Sequence, residues 1–178
     1  MADFRADRVL VIAEAGVNHD GNIEQALQLI DVAADAGADL VKFQTFDADM
    51  LATANAALAD YQEQASGGDD LPADTGQLTM LKKLQLSERD HHKLMAHCEA
   101  RGIEFFSTAF DLYSLDFLAQ CGATRFKVPS GEITNLPYLR QIASFQSEVI
   151  MSTGMASLDE IGEAVRCLEV AGLPKESI

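Results

Sequence analysis

Positive charge is scarce in this 178-residue sequence: 13 Lys and Arg stand against 28 Asp and Glu, a formal net charge of −15 at pH 7. Long-range attraction to nucleic acid or to an anionic membrane surface then has the wrong sign, which excludes both as general partners. A small anionic substrate would need a local basic pocket. Cysteine is equally sparse. Cys98, Cys121 and Cys167 are odd in number and widely spaced, in or just after helical patterns, which fits packed, reduced thiols and neither a disulfide nor a zinc framework. No segment reaches the roughly 18 apolar residues of a membrane span, and the opening MADFRADRVLVIAEAG lacks the order of an export signal. A cytoplasmic protein is expected.

What is present is a hydrophobic fraction of 48%, enough for one domain with a real core. Apolar, strand-like runs lie at Val9 to Ala15, Leu40 to Thr45, Ile103 to Ala109, Arg125 to Pro129 and Val149 to Thr153, each followed by polar or glycine residues and a helical pattern. Helix starts are marked by Asn22 or Gly21, by Ser87, and by Ser157-Leu-Asp-Glu160 with the spacing of a capping box. Gly37, Gly102, Gly122 and Gly172 sit where left-handed C-terminal caps belong.

Five βα units of this kind suit a parallel sheet. An open doubly wound sheet lacks support, because no G-x-G-x-x-G or P-loop turn follows the first strand. The better expectation is an α/β fold of the TIM (β/α)8-barrel type, in which residues 1–178 supply about the first five units of a form that takes about 250 residues. One stretch breaks the rhythm. Residues 46–86 read as an inserted excursion after the second strand, with SGGDDLPADTG at its middle.

Alternate residues of a barrel strand face the interior, and the last of them reach the mouth where such enzymes work. Parity groups Glu14 on strand one, Lys42 and Gln44 on strand two, Thr108 on strand three, Lys127 on strand four and Ser152 on strand five. A lysine in an apolar strand is costly unless paired, so a Glu14–Lys42 salt bridge is the simplest account of those two. It leaves Gln44, Thr108, Lys127, Ser130 and Ser152 unexplained at the same end. Lysines with hydroxyls and loop amides suit a phosphate or carboxylate, and Ser130-Gly131-Glu132 and Ser152-Thr153-Gly154 are tight exits where amides approach an anion. Glu132 is a candidate general base or acid. His19 falls on the first βα loop, at the mouth, whereas His91, His92 and His97 fall on one helix, in packed or solvated roles.

IAEAGVNHDG, VKFQTF, FFSTAFD, KVPSGEITN and MSTGMASLDEI follow one another in the order and at the intervals of the strand-end motifs of the bacterial sialic acid synthase family, which the sequence resembles over nearly its whole length. The Tyr61-Gln62 segment and QLTMLKKLQLS are most similar to members that make N-acetylneuraminate or legionaminate.

The resemblance implies a metal-dependent, carbon–carbon bond-forming transferase that condenses phosphoenolpyruvate with an N-acetylated hexosamine, such as N-acetylmannosamine, to a nonulosonic acid and phosphate. Carried over by motif, Lys42, Thr108, Lys127, Ser130 and Ser152 would hold phosphoenolpyruvate, Glu14 and Gln44 would meet the sugar, and Glu132 would manage a proton; Glu132, Lys127 and Glu14 are the catalytic candidates. A divalent Mn or Mg is implied, but the family's two metal-binding histidines and its C-terminal antifreeze-like domain have no counterpart in the 178 residues, so no metal ligand is assigned and the chain alone is expected to be inactive. A homodimer is expected. Two other readings compete: a Schiff-base barrel aldolase using Lys127 or Lys42, and a non-catalytic anion-binding half-barrel.

Overall fold

The computed structural model describes residues 9–52 and 76–178. Five parallel strands, β1 (Ile12–Gly16), β2 (Leu40–Thr45), β3 (Glu104–Ala109), β4 (Arg125–Val128) and β5 (Glu148–Met151), lie in the order β1-β2-β3-β4-β5. That order has no reversal. A doubly wound sheet reverses at a switch point, so the run of neighbours in chain order agrees with the barrel-type expectation. The first strand starts three residues later than its apolar pattern suggested, since Val9 and Val11 are exposed.

The helices are α1 (Ile23–Asp35), α2 (Ala48–Leu51), α3 (Gln77–Leu84), α4 (Glu88–Arg101), α5 (Leu112–Gln120), α6 (Leu136–Ser144) and α7 (Leu158–Val170). Their ends obey the local chemistry read from the sequence. The Asn22 side chain accepts from the Glu24 and Gln25 amides, Ser87 caps α4, and Ser157 with Glu160 completes the capping box of α7. Gly37, Gly102, Gly122 and Gly172 all take positive φ. Tyr61-Gln62 and SGGDDLPADTG up to its final Gly76 lie outside the described residues, so the insertion is seen only at its flanks, where Lys82 of α3 pairs with Asp49 of α2 at 2.7 Å.

Of the described residues, 9–43 and 86–106 form one compact unit, and 44–52, 76–85 and 107–178 form a second. In the first, Ala15 of β1, Val41 and Phe43 of β2, Ala26, Ile30 and Ala33 of α1, and Leu94 and Cys98 of α4 make one buried cluster. The strand residues of this cluster alternate with Glu14 and Lys42, as parity requires. Burial pushes the Cys98 thiol up to about 12, which fits an inert packed cysteine.

The same unit carries a row of rings. Phe43 stacks on Phe105 with centroids 5.8 Å apart, His91 meets the edge of Phe105 at 6.3 Å, and His19 lies 6.2 Å from Phe43. Although His19 sits on the β1–α1 loop, its side chain is fully buried; it is not displayed at a mouth. Its Nδ1 accepts from the Gly21 amide at 3.0 Å, which fixes the neutral tautomer with hydrogen on Nε2. His91 Nδ1 donates to the Ser87 carbonyl at 2.9 Å. Burial is the main cause holding both imidazoles below their usual 6.5, and for His19 the His91 charge adds to it while Asp20 opposes it.

The second unit buries Phe126 and Val128 of β4, Leu139 and Ile142 of α6, Val149 of β5, and Ala164 and Leu168 of α7. Phe126 stacks on Phe145 at 4.9 Å, so one face of β4 is committed to packing and the other is left to Arg125 and Lys127.

Two stability measurements test this account. Because both imidazoles are neutral in the folded state and the unfolded chain takes up protons near 6.5, stability is complete above that pH and declines as the pH falls below it, by up to about 1.4 kcal/mol per unit for each group. Urea midpoints that stay level from about pH 8 down to about pH 5 would contradict it. Gly102→Ala, where φ is +68° and no atom lies within 4 Å of the added Cβ, is expected to cost about 1 kcal/mol from backbone conformation alone.

Candidate functional site

On the first unit, strand register sets Glu14 opposite Lys42, and the two form an ion pair. Lys42 is largely buried whereas half of the Glu14 side chain remains exposed, so the carboxylate keeps much of its hydration while the ammonium is compensated. The simple salt-bridge account of this pair is therefore what the fold contains. Immediately beyond, a register shift between Glu14 and Gly16 lets the chain leave β1 with Gly16 at φ +55° and enter the loop plugged by His19.

The second unit holds the denser group. Lys127 Nζ donates to Ser152 Oγ at 2.5 Å and to the Val128 carbonyl at 2.7 Å. Thr108, 3% exposed, is its register partner on β3, and Ile150 is its partner on β5. Parity thus puts Thr108, Lys127 and Ser152 together.

Ser130 opens a short 3-10 turn, Ser130–Glu132, and a Cβ added at Gly154 would sit 3.6 Å from the Ser130 hydroxyl. The exits of β4 and β5 are therefore in contact, and glycine lets them meet. Among the described residues the Gly154 and Met155 amides donate to no protein acceptor. A lysine ammonium, hydroxyls and unclaimed amides offer donors, the chemistry that takes an oxyanion. Gln44 lies half-buried at the end of β2.

Glu132 follows directly. One of its oxygens, Oε2, accepts from Asn135 Nδ2 at 2.6 Å, which orients the carboxylate and leaves the second oxygen available to accept from water or substrate. Asn135 is itself held, because its Oδ1 accepts from the Tyr138 amide as the N-cap of α6.

Three supporting residues escaped the sequence reading. Tyr138 is buried and its hydroxyl donates to the Ala109 carbonyl at 2.7 Å, tying α6 to the end of β3; burial first, then the charges of Glu132 and Asp111, hold its phenol well above the ordinary range, so it stays a donor. Asp111 receives the Ser114 amide and hydroxyl, both at 2.7 Å, and the Asp47 amide at 2.9 Å, fixing the loop after β3. Arg125, 4% exposed in its side chain, pairs with its register partner Glu148 at 2.7 Å. The sequence signals for these are a tyrosine inside an amphipathic helix, an Asp at a helix start and, for Arg125, a parity shared with Lys127, none of which specifies a partner.

Among the described residues no three His, Cys, Asp or Glu side chains gather as a metal cage. His91 is committed to Ser87 and His97 pairs with Asp31 at 2.8 Å. The described residues do not fit the divalent metal that the resemblance implies, and no chemical step is drawn through one. Nor is any described helix long and apolar enough to cross a membrane.

Comparison with known proteins places this geometry. The chain is 46% identical over 171 residues to the N,N'-diacetyllegionaminic acid synthase of Campylobacter jejuni, covering 96% of this chain and 50% of that protein. It is 48% identical over 155 residues to the enzyme of the same name from Legionella pneumophila, covering 87% and 42%. The crystal structure of the N-acetylneuraminic acid synthetase of Leptospira borgpetersenii, a citrate complex, superposes with a TM-score of 0.75 at 30% identity, over 93% of this chain and 52% of that one. The chain thus spans about half the length of the curated relatives it matches. The NeuB family description matches residues 29–176 of this chain, and the chain belongs to the NeuB family.

Proposed function

We propose that this chain carries the phosphoenolpyruvate-binding part of a synthase that condenses phosphoenolpyruvate with an N-acetylated hexosamine, giving a nonulosonic acid and inorganic phosphate. The observation that carries the reading is Lys127: an ammonium set in a strand, donating to Ser152, with Thr108 beside it and unclaimed loop amides just beyond. The names of the two legionaminic acid synthases to which it is similar agree with an amino-sugar product.

In the proposed reaction, carbon 3 of phosphoenolpyruvate bonds to the open-chain aldehyde carbon of the sugar, whose oxygen takes a proton. Water adds at carbon 2, and the bond from carbon 2 to the phosphate oxygen breaks, releasing phosphate. Lys127, Thr108, Ser130 and Ser152 hold the anion and stabilise the charge that gathers on the departing oxygen. Glu132, steadied by Asn135, accepts the proton of the attacking water. On the first unit, Lys42 is assigned to phosphoenolpyruvate and Glu14 to the sugar; Gln44 is assigned to the sugar as well. A divalent Mn or Mg belongs to the proposal for the full-length protein, with no ligands among the described residues. So do a cytoplasmic setting and a homodimer.

The aldolase reading finds less support. Lys127 Nζ already donates to the Ser152 hydroxyl and the Val128 carbonyl, which suits a held cation better than a free amine attacking a carbonyl.

Calorimetry with phosphoenolpyruvate tests the proposal. Lys127→Ala should weaken binding about 10- to 100-fold, the loss of one or two charged hydrogen bonds of about 1.5–3 kcal/mol. In the full-length parent protein, phosphate release should require N-acetylmannosamine and Mn²⁺ or Mg²⁺. Equal affinity in the variant, or a borohydride-trapped adduct on Lys127, would overturn the reading.

A further inference from the structure

Three described non-glycine residues have positive φ: Asp20, Gln146 and Met155. The first two have ordinary explanations. Aspartate tolerates the left-handed region, and the Asp20 amide donates to the Val17 carbonyl at 3.0 Å. Gln146 ends α6, with its amide and its side chain both bonded to the Ala143 carbonyl, at 3.1 and 2.7 Å. Met155 has neither.

It occupies the third position of the turn Thr153–Ala156, closed by the Ala156 amide on the Thr153 carbonyl at 3.2 Å. With φ +62° at Met155 and an ordinary φ at Gly154, this is the position where a type II turn calls for glycine. The sequence places its glycine one residue too early and a long apolar side chain at the strained site. Among the described residues nothing offsets that strain, for Met155 is 108% exposed.

The location gives the oddity a meaning. Ser152, which receives the Lys127 ammonium, is three residues back, and Gly154 lies against Ser130. On this rim of lysine, hydroxyls and carboxylate, Met155 presents a long apolar side chain to solvent, as Leu158 does three residues on at the first position of α7. A ligand that satisfies such a rim is polar over most of its surface and carries one small apolar group. Phosphoenolpyruvate has no methyl. An N-acylated sugar has the acyl methyl, and a flexible thioether adapts to its shape.

We propose that Met155 is a specificity-determining residue whose side chain, held out by a strained turn, makes the apolar contact to the acyl methyl of an N-acylated amino-sugar substrate. The assignment rests on the function proposed above and deepens it.

The test uses the whole chain with phosphoenolpyruvate present and reads magnetisation transferred from protein to the acetyl methyl of N-acetylmannosamine, with unacylated mannosamine as comparator. In Met155→Gly the methyl signal should fall at least threefold, the mannosamine signals should not change, and the urea midpoint should equal or exceed that of the parent, since glycine relieves the turn. Met155→Leu, which keeps an apolar side chain, should retain the methyl signal. A lower midpoint in Met155→Gly would make the residue a fold element and overturn the inference; so would a methyl signal indifferent to Met155→Gly, or no transfer to either sugar in the parent. Phosphoenolpyruvate heats on the parent separate the two failures. If they are absent the underlying function falls and the inference with it, whereas heats with an indifferent methyl sink the inference alone.

Discussion

Everything in the second unit depends on the cost of holding an ammonium inside a layer of strands. A lysine there must be met by oxygens, and Lys127 finds two, the Ser152 hydroxyl and the Val128 carbonyl. Both are neutral oxygens, so these two bonds solvate the positive charge without cancelling it. The contrast with Lys42 is instructive. That lysine has a carboxylate, Glu14, as register partner, and its charge is already matched at home. The two strand lysines are thus held differently, Lys42 by a carboxylate and Lys127 with a hydroxyl and a carbonyl among its partners.

The site rests on residues whose packing faces point the other way. Phe126 and Val128 flank Lys127 in sequence and are buried, so the lysine cannot turn aside without disturbing the core. Tyr138 reaches from α6 to the Ala109 carbonyl, and Asp111 gathers three donors at the same strand end. These bonds consume polar groups that a loop would otherwise leave unsatisfied, and they turn flexible exits into a frame rigid enough to orient Glu132 through Asn135.

The sequence reading recovered the strands, the caps and the two faces because those follow from periodicities of 2 and 3.6 and from short-range hydrogen bonding. Lys127, Ser152 and Thr108 could be grouped by parity, since strand neighbours with the same phase share a face. The misses have a common cause. His19 was placed on the right loop but its burial depends on Phe43, distant in sequence; Tyr138, Asp111 and the Arg125–Glu148 pair likewise draw their meaning from partners about 20 or more residues away, which no local pattern encodes. The strain at Met155 was hidden for a different reason: the tripeptide Thr-Gly-Met reads as an ordinary glycine turn until φ shows which residue took the left-handed position.

The Arg125–Glu148 pair has one more effect. Parallel strands can slide along each other, and a slip of one residue would exchange the faces of β4, sending Lys127 into the helices and Phe126 into the site. A slip of two would preserve the faces yet leave a nearly inaccessible guanidinium without its carboxylate. Hydrophobic alternation guards against the first error only. The ion pair at the strand entrance guards against the second, so a charge pair that touches no ligand fixes the reading frame in which Lys127 meets Ser152.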